Sequence, residues 1–130
     1  MMIKNESDLL KYIQKTINIK SHNVIKGIGD DCAVLVPPQG RRLVQTCDQL
    51  VEGVHVPTGC HPEQMAVKLV RRSLSDLAAA GAEPWAASWT VLAPSERGSD
   101  WVENLSRAFL AESSNFNMSV VGGDVSNGPS

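Results

Sequence analysis

The chain has 130 residues, of which 42% are apolar and 20% charged, with 12 Lys and Arg set against 14 Asp and Glu. That length and composition suit one packed domain that needs no disulfide or metal staple, and they exclude a disordered segment. A net charge of -2 gives no broad cationic footprint for nucleic acid, and no apolar run reaches the ~18 residues of a membrane span.

The opening Met1 to Ser7 is too polar for a signal peptide. Cys32, Cys47 and Cys60 are far apart, with no CxxC pair, which fits reduced thiols rather than a disulfide frame or a structural zinc site. A cytoplasmic location is the expectation.

In chain order, Ser7 is placed to cap a helix running to about Asn18, with Leu9, Leu10, Ile13 and Ile17 at helical spacing. A glycine-punctuated turn, Gly27 to Asp31, leads into a strand-like run, Cys32 to Val36, closed by Pro37-Pro38. Gln39-Gly40 reads as a turn, and Arg41 to Cys47 as the second strand of a hairpin. Val54-His55-Val56 extends the sheet after the Glu52-Gly53 turn. Pro62 suits the first position of a long helix reaching Ala80, with Gly81 as its stop signal. Met65, Leu69, Val70, Leu74, Leu77 and Ala78 form its apolar stripe. A strand from Trp85 to Ala93 follows. Asp100 and Glu103 have capping-box spacing for a helix near 100–114, with Trp101, Leu105, Ala108 and Phe109 facing inward. A last strand, Met118 to Val121, runs into Gly122-Gly123-Asp124. The predicted class is α+β: a mixed four-stranded sheet with helices on one face, in a single domain spanning residues 1–130. The chain stops directly after a candidate site, without a polar tail, which points to a truncated chain.

Acidic residues fall where the backbone turns. Asp30 and Asp31 start one strand, Asp48 ends another, and Asp124 follows two glycines. Asp76 lies inside a helix, near its apolar face, where a carboxylate is costly unless paired. Arg72, one turn earlier, could pair with it, and the other aspartates could be turn and cap residues. Alternatively, several carboxylates converge on a hard cation such as Mg²⁺, since without one they would repel each other or take up protons. No Ser, Cys or Lys has an evident activating partner, so covalent catalysis has no support and no catalytic residue is assigned. The glycines match neither GxGxxG nor GxxxxGK[ST]. Gly122-Gly123 can let the backbone approach an anion. His55 follows the Glu-Gly turn, close in sequence to Asp48.

Taken together, Gly27-Ile28-Gly29-Asp30-Asp31-Cys32-Ala33-Val34-Leu35, Asp48-Gln49-Leu50-Val51-Glu52-Gly53-Val54-His55, Ser75-Asp76-Leu77-Ala78-Ala79-Ala80-Gly81-Ala82 and Gly122-Gly123-Asp124 resemble the thiamine-monophosphate kinase family, in its order and approximate spacing. The wider superfamily includes aminoimidazole ribonucleotide synthetase and selenophosphate synthetase. The resemblance implies the N-terminal domain of an enzyme that uses ATP and Mg²⁺ to phosphorylate thiamine monophosphate to thiamine diphosphate. It also implies a homodimer made by pairing the sheets of two such domains. By the same resemblance, Asp31, Asp48, Asp76 and Asp124 match metal-binding aspartates, and Thr46 and Cys47 match hydroxyl residues that contact metal. Gly123 and Asp124 match an ATP contact, and His55 a contact to the thiamine phosphate.

Some positions depart from the family pattern. Cys47 stands where Thr is usual, Ser73 where Asn is frequent, and Val125-Ser126-Asn127 where Thr-Thr-Arg is commoner. The family's C-terminal domain is absent from the chain, so little turnover is expected of these residues alone. Two other readings stay open. One is another ATP-using superfamily member such as a selenophosphate synthetase, against which Met1 to Lys26 offers no Cys and no Gly. The other is a non-catalytic dimerisation module whose aspartates are caps and ion-pair partners.

Overall fold

The structure, a computed structural model, describes residues 6–16 and 23–128. Its elements are α1 (Glu6–Thr16), β1 (Val24–Lys26), β2 (Val34–Leu35), α2 (Pro62–Ala79), β3 (Ala86–Pro94), a 3-10 turn (Ser95–Arg97), α3 (Gly98–Asn115) and β4 (Ser119–Gly128).

β3, α3 and β4 form the framework. Parallel strands cannot be joined by a tight turn, so the chain crosses back through α3 before β4 pairs with β3 in parallel, from Ala86 opposite Ser119 to Pro94 opposite Gly128. β3 alternates as a half-buried strand should: Trp89, Val91 and Ala93 are buried while Ser88, Thr90 and Leu92 are exposed. Trp89 stacks on Phe109 of α3, with ring centroids 4.4 Å apart and planes 8° from parallel. Such a contact adds roughly 0.5–1.5 kcal/mol to the burial of the two rings. Leu105 and Leu110 of α3, Met65, Ala66 and Val70 of α2, and Ile13 of α1 complete the core.

Helix α2 matches the sequence expectation closely. It starts at Pro62, where a missing N–H costs nothing, and ends at Ala79 before Gly81, whose φ of 67° few side chains tolerate. An ion pair joins it to α3: Arg71 Nε donates to Glu112 Oε1 at 2.6 Å, and Asn115 Nδ2 donates to the other carboxylate oxygen at 3.2 Å.

Several expectations are corrected. The four strands do not form one mixed sheet; they make two separate pairs, β1 with β2 antiparallel and β3 with β4 parallel. The reason lies between them. Arg41 to Cys47, expected to be the second strand of a hairpin, has no ladder partner among the described residues, and residues 41–50 adopt no regular structure. Residues 54–56, expected to extend the sheet, instead fold back in a turn, with Gly53 N–H donating to Val56 O at 2.8 Å. The first helix already begins at Glu6, so Ser7 lies in its first turn and does not cap it. Asn18 and Ile17, with the side chains of Leu9 and Leu10, lie outside the described residues. α3 begins at Gly98, which leaves Asp100 in the first turn without a capping bond and Glu103 paired instead with Arg107.

The glycine pair also differs from expectation. Gly122 and Gly123 do not form a turn; β4 runs through them to Gly128. A Cβ on Gly123 would lie 2.4 Å from the Trp89 carbonyl oxygen, whereas one on Gly122 would meet nothing closer than Ser88 Cβ at 3.9 Å. The close approach that demands glycine is therefore between two strands. Gly123→Ala is expected to lower stability by about 1–3 kcal/mol through forced backbone displacement, and Gly122→Ala by less than about 1 kcal/mol. Urea unfolding of both variants checks the contrast.

Candidate functional site

Three side chains spaced one turn apart on α2 reach across to a segment without regular structure. Asp76 Oδ2 accepts a hydrogen bond from Thr46 Oγ1 at 2.8 Å. Arg72 Nη2 lies 3.5 Å from Asp48 Oδ1. Lys68 Nζ donates to the His55 carbonyl oxygen at 2.5 Å. Positions 68, 72 and 76 fall on one helix edge because a turn holds 3.6 residues. The partners run the other way, so residues 46, 48 and 55 are laid along the helix antiparallel to it.

This edge opens onto a groove of about 920 Å³ lined by Asp48 and, from α2, Glu63, Gln64, Val67, Lys68, Arg71, Arg72, Ser75 and Asp76. The groove carries three cationic side chains, Lys68, Arg71 and Arg72, and three carboxylates, Asp48, Glu63 and Asp76. The lining is therefore of mixed charge, and its cations are already engaged: Arg71 by Glu112, Arg72 by Asp48 and Lys68 by the His55 carbonyl. The expectation that Asp76 sits near the apolar face is corrected: it is exposed, as are Ser75, Ala78, Ala79 and Ala80. Fully buried positions of α2 stop at Val70, and beyond it Leu74 packs only partly buried against the core. Asp76 is also not paired with Arg72; each reaches a different residue of the facing segment.

Beyond Asp48 the chain makes a compact turn that carries His55. The Val51 N–H donates to His55 Nδ1 at 2.9 Å, and the His55 N–H donates to Val51 O at 2.8 Å. Val56, which follows, is buried in the core. Glu52 closes the turn from outside: its Oε1 accepts from the Gly59 N–H at 2.5 Å and its Oε2 from Arg97 Nη2 at 2.7 Å. The Gly59 amide is the main cause that holds the Glu52 carboxyl below the ordinary glutamate range, with Arg97 adding to it. Sequence reasoning singled out neither Glu52 nor Arg97 nor Lys68. The only available signal was the acidic residue inside the Val51-Glu52-Gly53 turn, because Arg97 is remote in sequence.

The remaining candidates stand apart. Asp31 is exposed on the turn between β1 and β2, where its N–H donates to Asp30 Oδ1 at 2.9 Å. Asp30 pairs with Lys26 at 2.6 Å, and that lysine is the first cause of its lowered carboxyl pKa, ahead of the Asp31 amide. Asp124 is exposed on β4 and accepts from Ser126 Oγ at 2.8 Å. Gly123 precedes it opposite Trp89. Cys47 is exposed between Thr46 and Asp48.

Thr46, Asp48 and Asp76 offer hard oxygen donors of the type Mg²⁺ selects. Among the described residues, however, no three His, Cys, Asp or Glu side chains gather closely enough to hold a metal ion. Asp48 is instead met by the Arg72 guanidinium and Asp76 by the Thr46 hydroxyl. The residues do not fit a complete magnesium site in this arrangement.

With this geometry in view, the comparisons identify the class. The family model described as AIR synthase related protein, N-terminal domain, matches residues 29–130, and the chain belongs to that family. Its α+β fold is that of such a domain, and no helix among the described residues is long and apolar enough to cross a membrane.

Within the family, the resemblance to thiamine-monophosphate kinase is borne out. The thiamine-monophosphate kinase of Buchnera aphidicola subsp. Schizaphis graminum is 36% identical over 127 residues, 96% of this chain and 38% of that protein. The one from Haemophilus influenzae is 37% identical over 130 residues, 98% of this chain and 38% of that protein. A crystal structure of the Stenotrophomonas maltophilia thiamine-monophosphate kinase superposes with a TM-score of 0.81 at 34% identity, covering 93% of this chain and 38% of that one. The chain thus spans about two-fifths of the length of these relatives.

Acid should loosen the α2–α3 contact and the His55 turn together. Glu112 is held below the ordinary glutamate range first by Arg71 and then by Asn115, and Glu52 by the groups named above. Carboxyls so lowered contribute stability that is fully present above their unfolded-state pKa and is lost as pH falls through their folded values. The expected outcome is a melting temperature that drops as pH falls below the ordinary glutamate range. A Glu52→Gln, Glu112→Gln double variant should melt lower at neutral pH and show a shallower drop. Melting curves across that pH series check it.

Proposed function

We propose that this chain is the N-terminal part of a cytoplasmic enzyme that phosphorylates thiamine monophosphate to thiamine diphosphate, using ATP and Mg²⁺. The observation that carries the reading is the groove along α2, where Lys68, Arg71 and Arg72 share the lining with Asp48, Glu63 and Asp76, and Lys68 reaches the turn bearing His55. The named relatives support the choice of substrate. Because the chain spans two-fifths of their length, turnover belongs to the longer protein.

The acceptor is itself a phosphate oxyanion, so no side chain has to remove a proton to make a nucleophile. A γ-phosphoryl group passes from ATP to that oxygen, a new P–O bond forms, and ADP leaves. What this chain supplies is alignment and charge. Lys68, Arg71 and Arg72 draw the anionic reactants into the groove, and His55 contacts the phosphate of thiamine monophosphate. Gly123 and Asp124 are proposed to meet ATP. When bound, Mg²⁺ would offset negative charge on the phosphates. Thr46, Asp48 and Asp76 are proposed as the nucleus of its binding. Contributions from Asp31, Asp124 and the backbone of Cys47 require these groups to be drawn together in the complete, ligand-bound protein.

The exposed apolar side chains support the proposed homodimer. Of the exposed large apolar side chains, Ile25, Val34, Val36, Leu43, Val44, Val51 and Val54 fall between residues 25 and 54, while Leu92 and Phe116 lie elsewhere. In that stretch β1 and β2 pair only with each other, and residues 41–50 have no ladder partner among the described residues. Contiguous exposed apolar surface marks a protein contact, and an unpaired strand is completed by another strand.

One observation favours a non-catalytic dimerisation module instead: Asp48 and Asp76 each already have a partner within the chain. A coupled assay for thiamine diphosphate decides between the readings. The full-length protein is expected to turn over only with ATP and Mg²⁺ present, while residues 1–130 alone show little or no activity. Asp48→Asn or Asp76→Asn in the full-length protein should cost about 10²-fold or more in kcat, the scale seen when preorganised charge-stabilising groups are removed. Unchanged turnover in both variants would support the non-catalytic role of the two carboxylates.

A further inference from the structure

The turn from Val51 to Cys60 is held by more polar contacts than its length requires. Both carboxylate oxygens of Glu52 are used, one on the Gly59 N–H and one on Arg97 Nη2. Arg97 is itself steadied, with its guanidinium carbon 5.7 Å from the centroid of the Trp101 ring. On the other side Lys68 Nζ grips the His55 carbonyl oxygen at 2.5 Å. Between these two anchors the imidazole has a defined chemical state. The Val51 N–H donates to Nδ1 at 2.9 Å, so Nδ1 must present its lone pair. In the neutral ring the single proton is then on Nε2, which makes Nε2–H a donor.

We propose that Glu52, Arg97 and Lys68 are positioning residues that fix the His55 turn so that Nε2–H is a preset hydrogen-bond donor to the phosphate of the substrate. This deepens the functional reading above and rests on it. Holding the donor in place before the ligand arrives removes the ordering cost that a free loop would incur on binding. It also favours a phosphorylated ligand over its unphosphorylated form, because the anionic oxygens are what a fixed N–H recognises. The neighbouring Arg97 and Lys68 hydrogen-bond to the turn, so the hydrogen bond to the ligand comes from His55, while Lys68 adds only its charge to the groove.

Two measurements on the full-length protein test the proposal: nitrogen-15 chemical shifts of the His55 ring, which report its tautomer, and calorimetric titration with thiamine monophosphate and, separately, thiamine. In the wild-type protein the ring is expected as the Nε2–H tautomer, with thiamine monophosphate bound more tightly than thiamine. Glu52→Gln keeps an oxygen for the Gly59 amide but loses the charge that Arg97 meets. It should mix the tautomers and weaken thiamine monophosphate binding about tenfold, the range for a lost hydrogen bond to a charged group, with thiamine binding unchanged. Arg97→Lys should recover part of the loss that Arg97→Gln shows. His55→Asn, which keeps an acceptor for the Val51 N–H but has no group at the Nε2 position, should melt near the wild-type temperature and lose the preference for the phosphorylated ligand.

An Nδ1–H tautomer in the wild-type protein, or Glu52→Gln with neither tautomer nor affinity altered, would overturn the proposal. If His55→Asn lowers affinity but Glu52→Gln does not, the substrate reading stands and the positioning role falls. If the wild-type protein binds no thiamine monophosphate while the tautomer responds as expected, the substrate reading falls and the positioning role stands.

Discussion

The site depends on one arrangement: a helix edge that holds a segment with no secondary structure of its own. Residues 41–50 make no ladder with any described residue, yet Thr46, Asp48 and His55 lie at defined places because Asp76, Arg72 and Lys68 meet them in turn along α2. Each contact is partly solvated and by itself worth little, on the order of 0.2–1 kcal/mol. Their regular spacing lets them act as a set. The helix can serve as the fixed side only because its other face is packed on α3, through Met65, Ala66 and Val70 and the Arg71–Glu112 pair. The core reaches the site through this helix and, from the facing segment, through Val56 beside His55.

The order of dependence runs outward. The Trp89–Phe109 stack and the parallel pairing of β3 with β4 position α3, and α3 positions α2. α2 then positions the segment from Thr46 to His55. Gly123 belongs to the first of these layers, since its missing side chain allows β4 to lie against the Trp89 carbonyl. A residue read as part of a phosphate contact thus also has a structural reason to be glycine. The exposed apolar surface between residues 25 and 54 belongs to the last layer.

The elements legible in the sequence were those whose signals are local. α2 has a proline at its start, a glycine after its end and an apolar stripe between, and both bounds were read within a residue. α3 was read from helical spacing and β3 as a strand from Trp85 to Ala93, and both formed. The expected hairpin did not, because a strand's existence depends on a partner that the described residues do not provide. β4 was read short, since Gly122-Gly123 looks like a turn until the facing Trp89 backbone is known. At the site, spacing showed that Arg72 and Asp76 share a helix edge and invited a pair between them. Which residues they meet instead is a long-range fact, set by how the segment from Thr46 crosses the helix. The Glu52–Arg97 contact was hidden for the same reason. The four aspartates, legible as a family pattern, gather here only as Asp48 and Asp76, in a groove that charge pairing already organises.

Hydrogen exchange gives the most direct test of this arrangement. The amides of Val51, Gly53 and His55 donate within the turn that follows the laid-down segment. In a Lys68→Met, Arg72→Met, Asp76→Asn variant, their protection is predicted to fall about tenfold, as expected for roughly 1.4 kcal/mol lost from local opening, while amides of β3 and β4 exchange as before. Unchanged protection at those three amides would contradict the claim that the helix edge holds the site together.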